Sequence, residues 1–362
     1  MVMNIIDQRI KKLQNSLTDQ QSILLSRNSD ILYFSSFIST VPEERSAFCL
    51  VSKNSSHLLL QNFLPKPENF PGEILTGASL SKLSDHLTSL KNKLNIDEIF
   101  LDFENLNVEE FRVISKIDGL KVNVLDKKII WKIRSQKDQS EINKIKTAIK
   151  ITEQAVEETI QELKVGLTEI EVKKILENKI RQHTFCDLAF PSIIAFAENS
   201  VLPHHQSGSK KLTRNCVVLI DSGAKYQEYC ADMTRTLFFK EEKADKNKGS
   251  EEKSELELEF EKILKIVKTA YEKAEILLSS KEVRAADLDL ACRNYITKKG
   301  YAKDFIHTTG HGLGIDIHEP PSVYRTNDTK LIPGMVLTIE PGIYLEGKFG
   351  VRWENTVFYT GV

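Results

Sequence analysis

The chain has 362 residues, 41% hydrophobic and 28% charged, with a formal net charge of −1 at pH 7. That length suits two domains rather than one small core, and the near-neutral balance gives no global field for nucleic acid or an anionic membrane. Five cysteines (Cys49, Cys186, Cys216, Cys230, Cys292) are scattered and never spaced as CxxC, which speaks against a disulfide framework and a thiolate zinc site. The opening MVMNIIDQRIKKLQNSL lacks a continuous apolar h-region, and no run is long enough to span a bilayer. A soluble, cytoplasmic protein is expected.

In chain order, IIDQRIKKLQNSL (5–17) has the spacing of an amphipathic helix, and SILLS (22–26) reads as a strand. SAFCLVS (46–52) and SHLLLQN (56–62) are short apolar runs of strand type. LSKLSDHLTSLKNKL (80–94) is helical in period, EIFLDF (98–103) a strand, NVEEFRVISKI (107–117) a helix and LKVNVLD (120–126) a strand. Strands alternating with helices predict an α/β domain over 1–133.

The character changes there, and 134–362 forms the second domain. A long helix is expected from near Ser135, with Ile142, Ile145, Ala148 and Ile149 on one face. GLTEIEVKKILENKIRQH (166–183) introduces another, and Thr168 with Glu171 three residues on is a capping-box pattern. KEEKADKNKGSEEK (240–253) is almost entirely charged and reads as a solvated, mobile loop. From about Ser254 the charge run merges into a helix through LEFEKILKIVKTAYEKAEILL.

Carboxylates recur in apolar strands. VVLID ends in Asp221, and ADMTRTLFF returns carrying Asp232, so a hairpin would bring the two together. MVLTIE ends in Glu340 and is stopped by Pro341 and Gly342. GVRWENTVFY reads as one strand whose alternation puts Arg352 and Glu354 on one face and Trp353 on the other. A buried acid needs a partner, and an Arg352–Glu354 ion pair is the plain structural account. Three of the eight histidines, His307, His311 and His318, crowd into HTTGHGLGIDIHEPP. Four converging carboxylates would repel one another and be driven toward protonation. Two divalent cations would balance them, and oxygen-rich ligation with one imidazole suits manganese, cobalt, iron or zinc.

Five motifs carry a resemblance: NSVLPHH (199–205), DSGAKYQEYCADMTRT (221–236), HTTGHGLGIDIHEPP (307–321), MVLTIEPGIY (335–344) and GVRWENTV (350–357). In this order and spacing the chain resembles the M24-type "pita-bread" metallopeptidases, which include prolidase, aminopeptidase P and methionine aminopeptidase. The first domain resembles the creatinase-type N-terminal domain of the proline-specific branch, which methionine aminopeptidases usually lack. The resemblance implies an α/β creatinase-like N-terminal domain followed by an α+β pita-bread catalytic domain.

It further implies Asp221, Asp232, His311, Glu340 and Glu354 as ligands of two divalent metal ions, manganese first among them, with Asp232 and Glu354 bridging. His204 and His318 match the family's catalytic histidines, and Glu340 its proton shuttle. His307 lines the pocket; Tyr344 and Arg352 match polar residues near metals and substrate. His205 stands where relatives often carry glycine, and Trp353-Glu354-Asn355 where they often read Ile-Glu-Asp. The implied activity is hydrolysis of the bond between an N-terminal residue and proline, as an Xaa-Pro dipeptidase or aminopeptidase P. A proline-containing peptide is the expected partner, with a second copy of the chain as a homodimer, and neither nucleic acid nor membrane. Methionine aminopeptidase activity and a non-catalytic peptide-binding relative are the alternatives; a metal-free creatinase-type amidinohydrolase lacks the ligands that are intact here.

Overall fold

The computed structural model describes residues 4–39, 41, 44–77, 79–240 and 252–361. The chain falls into two units, Met1–Arg134 and Ser135–Val362. The charged run expected to be a loop lies, over 241–251, outside the described residues.

The first unit runs α1 (Ile5–Gln14), β1 (Gln21–Leu25), α2 (Asn28–Ser35), β2 (Ala47–Ser52), β3 (Ser56–Leu60), β4 (Glu73–Thr76), α3 (Leu80–Leu94), β5 (Glu98–Leu101), α4 (Val108–Ser115), β6 (Lys121–Val124) and α5 (Lys128–Arg134). Its six strands form one mixed sheet in the order β4-β3-β2-β1-β5-β6. The β1–β5, β5–β6 and β3–β4 pairs are parallel, whereas β1–β2 and β2–β3 are antiparallel. Strands β2 and β3 are buried throughout, as apolar runs covered on both faces should be. Leu83, Leu87, Leu90 and Ile114 from α3 and α4 pack against Leu24, Leu50 and Leu59 of the sheet. The short α2 and β4 are elements that periodicity does not announce: eight and four residues are too few to show a period.

The second unit contains α6 (Gln139–Gln161), α7 (Glu169–Arg181), β7 (Cys186–Leu188), β8 (Ile193–Phe196), a 3-10 turn (Ala197–Val201), β9 (Cys216–Ser222), β10 (Ala224–Tyr226), β11 (Tyr229–Cys230) and β12 (Met233–Phe239). It continues with α8 (Glu255–Leu277), α9 (Ala285–Lys298), β13 (Gly310–Gly312), β14 (Glu319–Val323), β15 (Val336–Ile339), β16 (Gly342–Leu345), β17 (Phe349–Arg352) and β18 (Asn355–Phe358). Two halves are recognisable. Val172, Leu176 and Ile180 of α7 join Ala148 and Ile151 of α6 over the sheet β12-β9-β8. Ile263, Val267, Leu288 and Cys292 of α8 and α9 pack with Leu337 and Ile339 of the sheet β14-β13-β15-β18.

Three sequence expectations are corrected. The long helix starts at Gln139, not near Ser135, because Lys137 spends its N–H on Gly334 O and Asp138 then caps the helix by accepting from Ser140 N and Glu141 N. The Thr168–Glu171 capping box is present. The 216–239 stretch is more than a hairpin: β9 and β12 do pair antiparallel, with Thr234 opposite Asp221, but β10 and β11 intervene and join β7 in another sheet. The run GVRWENTVFY is two strands. Up to Arg352 it pairs with β16; after Glu354 it pairs with β15. The break falls where Glu354 N–H turns to donate to Thr234 O, 3.2 Å.

Candidate active site

Strand β9 places Asp221 near its end, and Asp232 stands just before β12. The Asp232 backbone is fixed from the other half of the unit: its N–H donates to Thr356 Oγ1 (3.0 Å), whose hydroxyl donates back to Asp232 O. His311 is the middle residue of β13; its N–H donates to Thr338 Oγ1, 3.1 Å. The strand runs tight against its neighbours, since a Cβ on Gly310 would collide with the Thr338 carbonyl. Glu340 follows β15, and its N–H donates to Thr309 O, 2.8 Å. Glu354 lies in the break between β17 and β18 and accepts from the Thr234 hydroxyl, 2.6 Å.

All five predicted ligands, together with His204, His205, His307, His318 and Arg352, line one cavity of about 850 Å³. Ligand atoms of Asp232, His311 and Glu354 lie within 4.8 Å of one another. His311 Nε2 is 3.6 Å from Asp232 Oδ2 and 3.7 Å from Glu340 Oε1. Its other ring nitrogen, Nδ1, faces the Gly312 carbonyl at 3.1 Å and so carries the proton, which leaves the Nε2 lone pair aimed at the carboxylates.

Burial and crowding of like charges drive Asp232, Glu340 and Glu354 toward protonation. Burial first, then Glu354 and Asp221, pushes Asp232 well above the ordinary carboxylate range. Burial and Glu354 do the same to Glu340. Burial and Asp221 lift Glu354 to about 7. Two buried oxygens, Asp221 Oδ1 and Asp232 Oδ1, have no hydrogen-bond partner. Buried acceptors without donors, beside an imidazole lone pair, form a donor set that fits divalent metal.

Arg352 does not pair with Glu354 as the strand alternation suggested. Its Nη2 donates to Asp221 Oδ2 (2.6 Å), Nη1 to Tyr344 Oη (2.9 Å) and Nε to Thr234 Oγ1 (2.9 Å). The guanidinium therefore reaches Glu354 through the Thr234 hydroxyl. Tyr344, itself buried, donates its O–H to His307 Nε2 at 2.9 Å, and His307 Nδ1–H donates to Thr308 O at 2.6 Å. Burial, with Arg352 second, drops the His307 imidazole to about 3 and keeps it neutral. Burial, His311 and His204 also lower His318, whose ring sits 4.4 Å from that of His311 at 71°. Trp353 turns the other way, its ring stacked by Arg235 at 4.2 Å and Lys268 at 3.8 Å.

Several supporting residues escape sequence reasoning. Asp289 and Arg293 of α9 form a bidentate pair; Asp289 also accepts from Thr309 Oγ1, and Arg293 donates to Phe305 O and His307 O. Together they hold the loop that leads to His307 and His311. Glu319 takes the ammonium of Lys137 at 3.1 Å, both fully buried, and accepts from Asp316 N. In the first half, Glu169 accepts from Phe196 N, Asn199 Nδ2, Gly208 N and His205 Nε2. Burial would raise this carboxyl, but those donors hold it below its ordinary value. The one legible signal was the alternation Asp232, Thr234, Thr236 on a single face of β12.

The family model described as "Metallopeptidase family M24" matches residues 143–361. The chain belongs to metallopeptidase family M24. An uncharacterized peptidase of Staphylococcus aureus is 32% identical over 359 residues, 97% of this chain and 96% of that protein. An Xaa-Pro dipeptidase from Bacillus anthracis superposes with a TM-score of 0.86 at 27% identity, covering 98% of this chain and 95% of that one. An X-Pro aminopeptidase from Thermotoga maritima gives 0.81 at 31% identity, covering 96% and 95%. The fold is thus an N-terminal α/β sheet unit plus the M24 pita-bread catalytic unit, as in prolidase structures. Among the described residues no helix of this M24 peptidase is long and apolar enough to cross a membrane.

Proposed function

We propose that this chain is a dinuclear-metal exopeptidase that cleaves the bond between an N-terminal residue and proline. The observation that carries the reading is the convergence of Asp221, Asp232, His311, Glu340 and Glu354 on one cavity, with two buried carboxylate oxygens left without a donor. The Xaa-Pro dipeptidase and X-Pro aminopeptidase among the similar structures support the proline preference. In this proposal Asp221, Asp232, His311, Glu340 and Glu354 would hold the metal ions. When bound, the ions supply Lewis acidity: they polarise the scissile carbonyl and make water nucleophilic near neutral pH.

The chain's own groups do the rest. Glu340, on the cavity wall 3.7 Å from His311 Nε2, takes the proton released by the attacking water. His318, on the cavity wall beside His311, donates a ring N–H to the oxygen on which charge develops. The proline nitrogen has no N–H of its own, so the departing ring must receive a proton, and in this reading His204, which lines the cavity, delivers it. His307 shapes the wall. Arg352 and Tyr344 act from behind it: they hold Asp221 and the His307 tautomer, and their donors are engaged without a substrate. A second copy of the chain and a cytoplasmic location belong to the same proposal.

Cleavage of Ala-Pro-Ala, Ala-Ala-Ala and Met-Ala-Ser by enzyme reconstituted with manganese, cobalt, zinc or iron tests it. Preferential release of alanine from Ala-Pro-Ala is expected. Efficient cleavage of Met-Ala-Ser with Ala-Pro-Ala untouched would give the site to methionine aminopeptidase chemistry instead.

A further inference from the structure

The cavity's charges are unevenly available. One arginine and one lysine, Arg352 and Lys173, line it. Each nitrogen of the buried Arg352 is engaged, with Asp221, Tyr344 and Thr234 as partners, and Nη1 is also 3.4 Å from Pro203 O. Four of its five N–H donors thus already have acceptors.

Lys173 is different. It rises from the second turn of α7 and stands 3.7 Å from Glu177 Oε1, a loose pair at the helix surface. Glu177 is occupied elsewhere: it accepts from Ser192 N at 3.1 Å and faces Arg181 at 3.7 Å. An ammonium carries three N–H donors, so Lys173 keeps capacity for an anion. The same cavity also has apolar lining, Phe190, Pro191 and Ile193, and Ile193 is the strand residue paired with Asp221. Burying an unpaired carboxylate against such a wall is costly. The volume, about 850 Å³, is toward the top of the ~300–1,000 Å³ range of small-ligand pockets.

We propose that the site takes peptides that run on past the proline, and that Lys173 receives the free carboxyl end of a tri- or tetrapeptide. This rests on the peptidase reading above and goes beyond it by assigning the substrate's length and a specificity residue. A dipeptide would carry its carboxylate on the proline itself, beside the scissile nitrogen, and the cavity's other cation, Arg352, is already bonded to Asp221, Tyr344 and Thr234. In a longer peptide that group is a neutral amide, and the carboxylate lies one or more residues further along.

The test is steady-state kinetics of the metal-loaded enzyme on Ala-Pro, Ala-Pro-Ala and Ala-Pro-Ala-amide, with Ala-Ala-Ala and its amide as controls. Ala-Pro-Ala is expected to exceed Ala-Pro at least tenfold in kcat/KM. Amidation, or Lys173→Met, should raise the KM for the tripeptide about three- to fivefold, the scale of a partly exposed ion pair, with kcat unchanged. Lys173→Met should no longer distinguish acid from amide, and Lys173→Arg should restore the distinction. Ala-Pro cleaved as well as the tripeptide would overturn the proposal. So would a Lys173→Met variant that still distinguishes acid from amide, or one that slows every substrate equally, as a merely structural lysine would. If Ala-Ala-Ala were preferred to Ala-Pro-Ala, the proline reading would fall by itself. The acid–amide comparison on Ala-Ala-Ala would then decide the role of Lys173.

Discussion

The two halves of the catalytic unit support the site in different ways. The first half delivers Asp221 and Asp232 from a regular ladder, seven consecutive pairs between β9 and β12. The second delivers His311, Glu340 and Glu354 from strands of three or four residues and the gaps between them. Backbone pairing sets Asp221, and Asp232, one residue outside the ladder, needs only the Thr356 hydroxyl besides. The imidazole and the glutamates are aimed by side chains instead: Thr338 and Thr234, with Asp289 and Arg293 behind the loop. A short strand in a crowded site buys freedom of direction, and a polar brace must then restrict it.

Removing a ligand gives the largest break. Asp232→Asn should lower kcat at least 10³-fold and empty the site by elemental analysis, on the scale of losing a ligand together with its transition-state role. It should also raise the melting temperature of the chelated protein, because it removes a buried acid whose ionised form burial, Glu354 and Asp221 disfavour. A chelated Asp232→Asn protein less stable than the chelated parent would show that the ladder, not the charge, dominates there.

His318→Ala should keep its metals and lose kcat by about 10²–10³, the scale of one donor to a developing oxyanion. His311→Ala should lose both. The opposite pattern would exchange the roles of ligand and catalyst within the loop.

The braces come next. Asp289→Ala leaves Arg293 without its acid and should cost about 4 kcal/mol in urea unfolding, with weakened metal retention, since Thr309 holds both Asp289 and the Glu340 N–H. Glu169→Ala should cost a comparable amount and keep full metal content, because it ties down only the segment that carries His204. Equal metal loss in both would erase the difference between the halves.

The smallest effect is a pH slope. Glu354 sits at about 7 in the folded chain against an ordinary 4.5, so without metal the folded state binds more protons than the unfolded state between these values. Stability of chelated protein should therefore fall as pH rises from about 4.5 to 7, by about 3 kcal/mol from this group. Added divalent metal should flatten the slope. Chemical denaturation at several pH values reads both, and a rising slope without metal would contradict the buried-charge account.

Much of this was written in the sequence where a local pattern suffices. Amphipathic spacing gave α1, α3, α6 and α8, and Thr168 with Glu171 marked the start of α7. The four acids Asp221, Asp232, Glu340 and Glu354 of the cavity were legible as charges on apolar strands, and His311 as one of three histidines in a glycine-rich stretch. What stayed hidden depends on partners far along the chain. The break after Arg352 exists because Glu354 changes neighbours to Thr234, 120 positions away. Asp289 and Arg293 look like an ordinary surface pair at i,i+4; that Asp289 is fully buried and reaches Thr309 is a tertiary fact. His205 carried no readable role until Glu169 was found beside it.

The chain has two tryptophans, and one of them, Trp353, is the residue before Glu354, held between Arg235 and Lys268. Arg235 also bonds the Glu354 carbonyl, 2.7 Å, so the indole shares a clamp with the backbone of the acid. Charge on that carboxylate is thus next door to a chromophore whose emission responds to nearby fields. With Trp131 replaced by phenylalanine, the enzyme carries a built-in optical gauge of site occupancy, readable by titration without any added label.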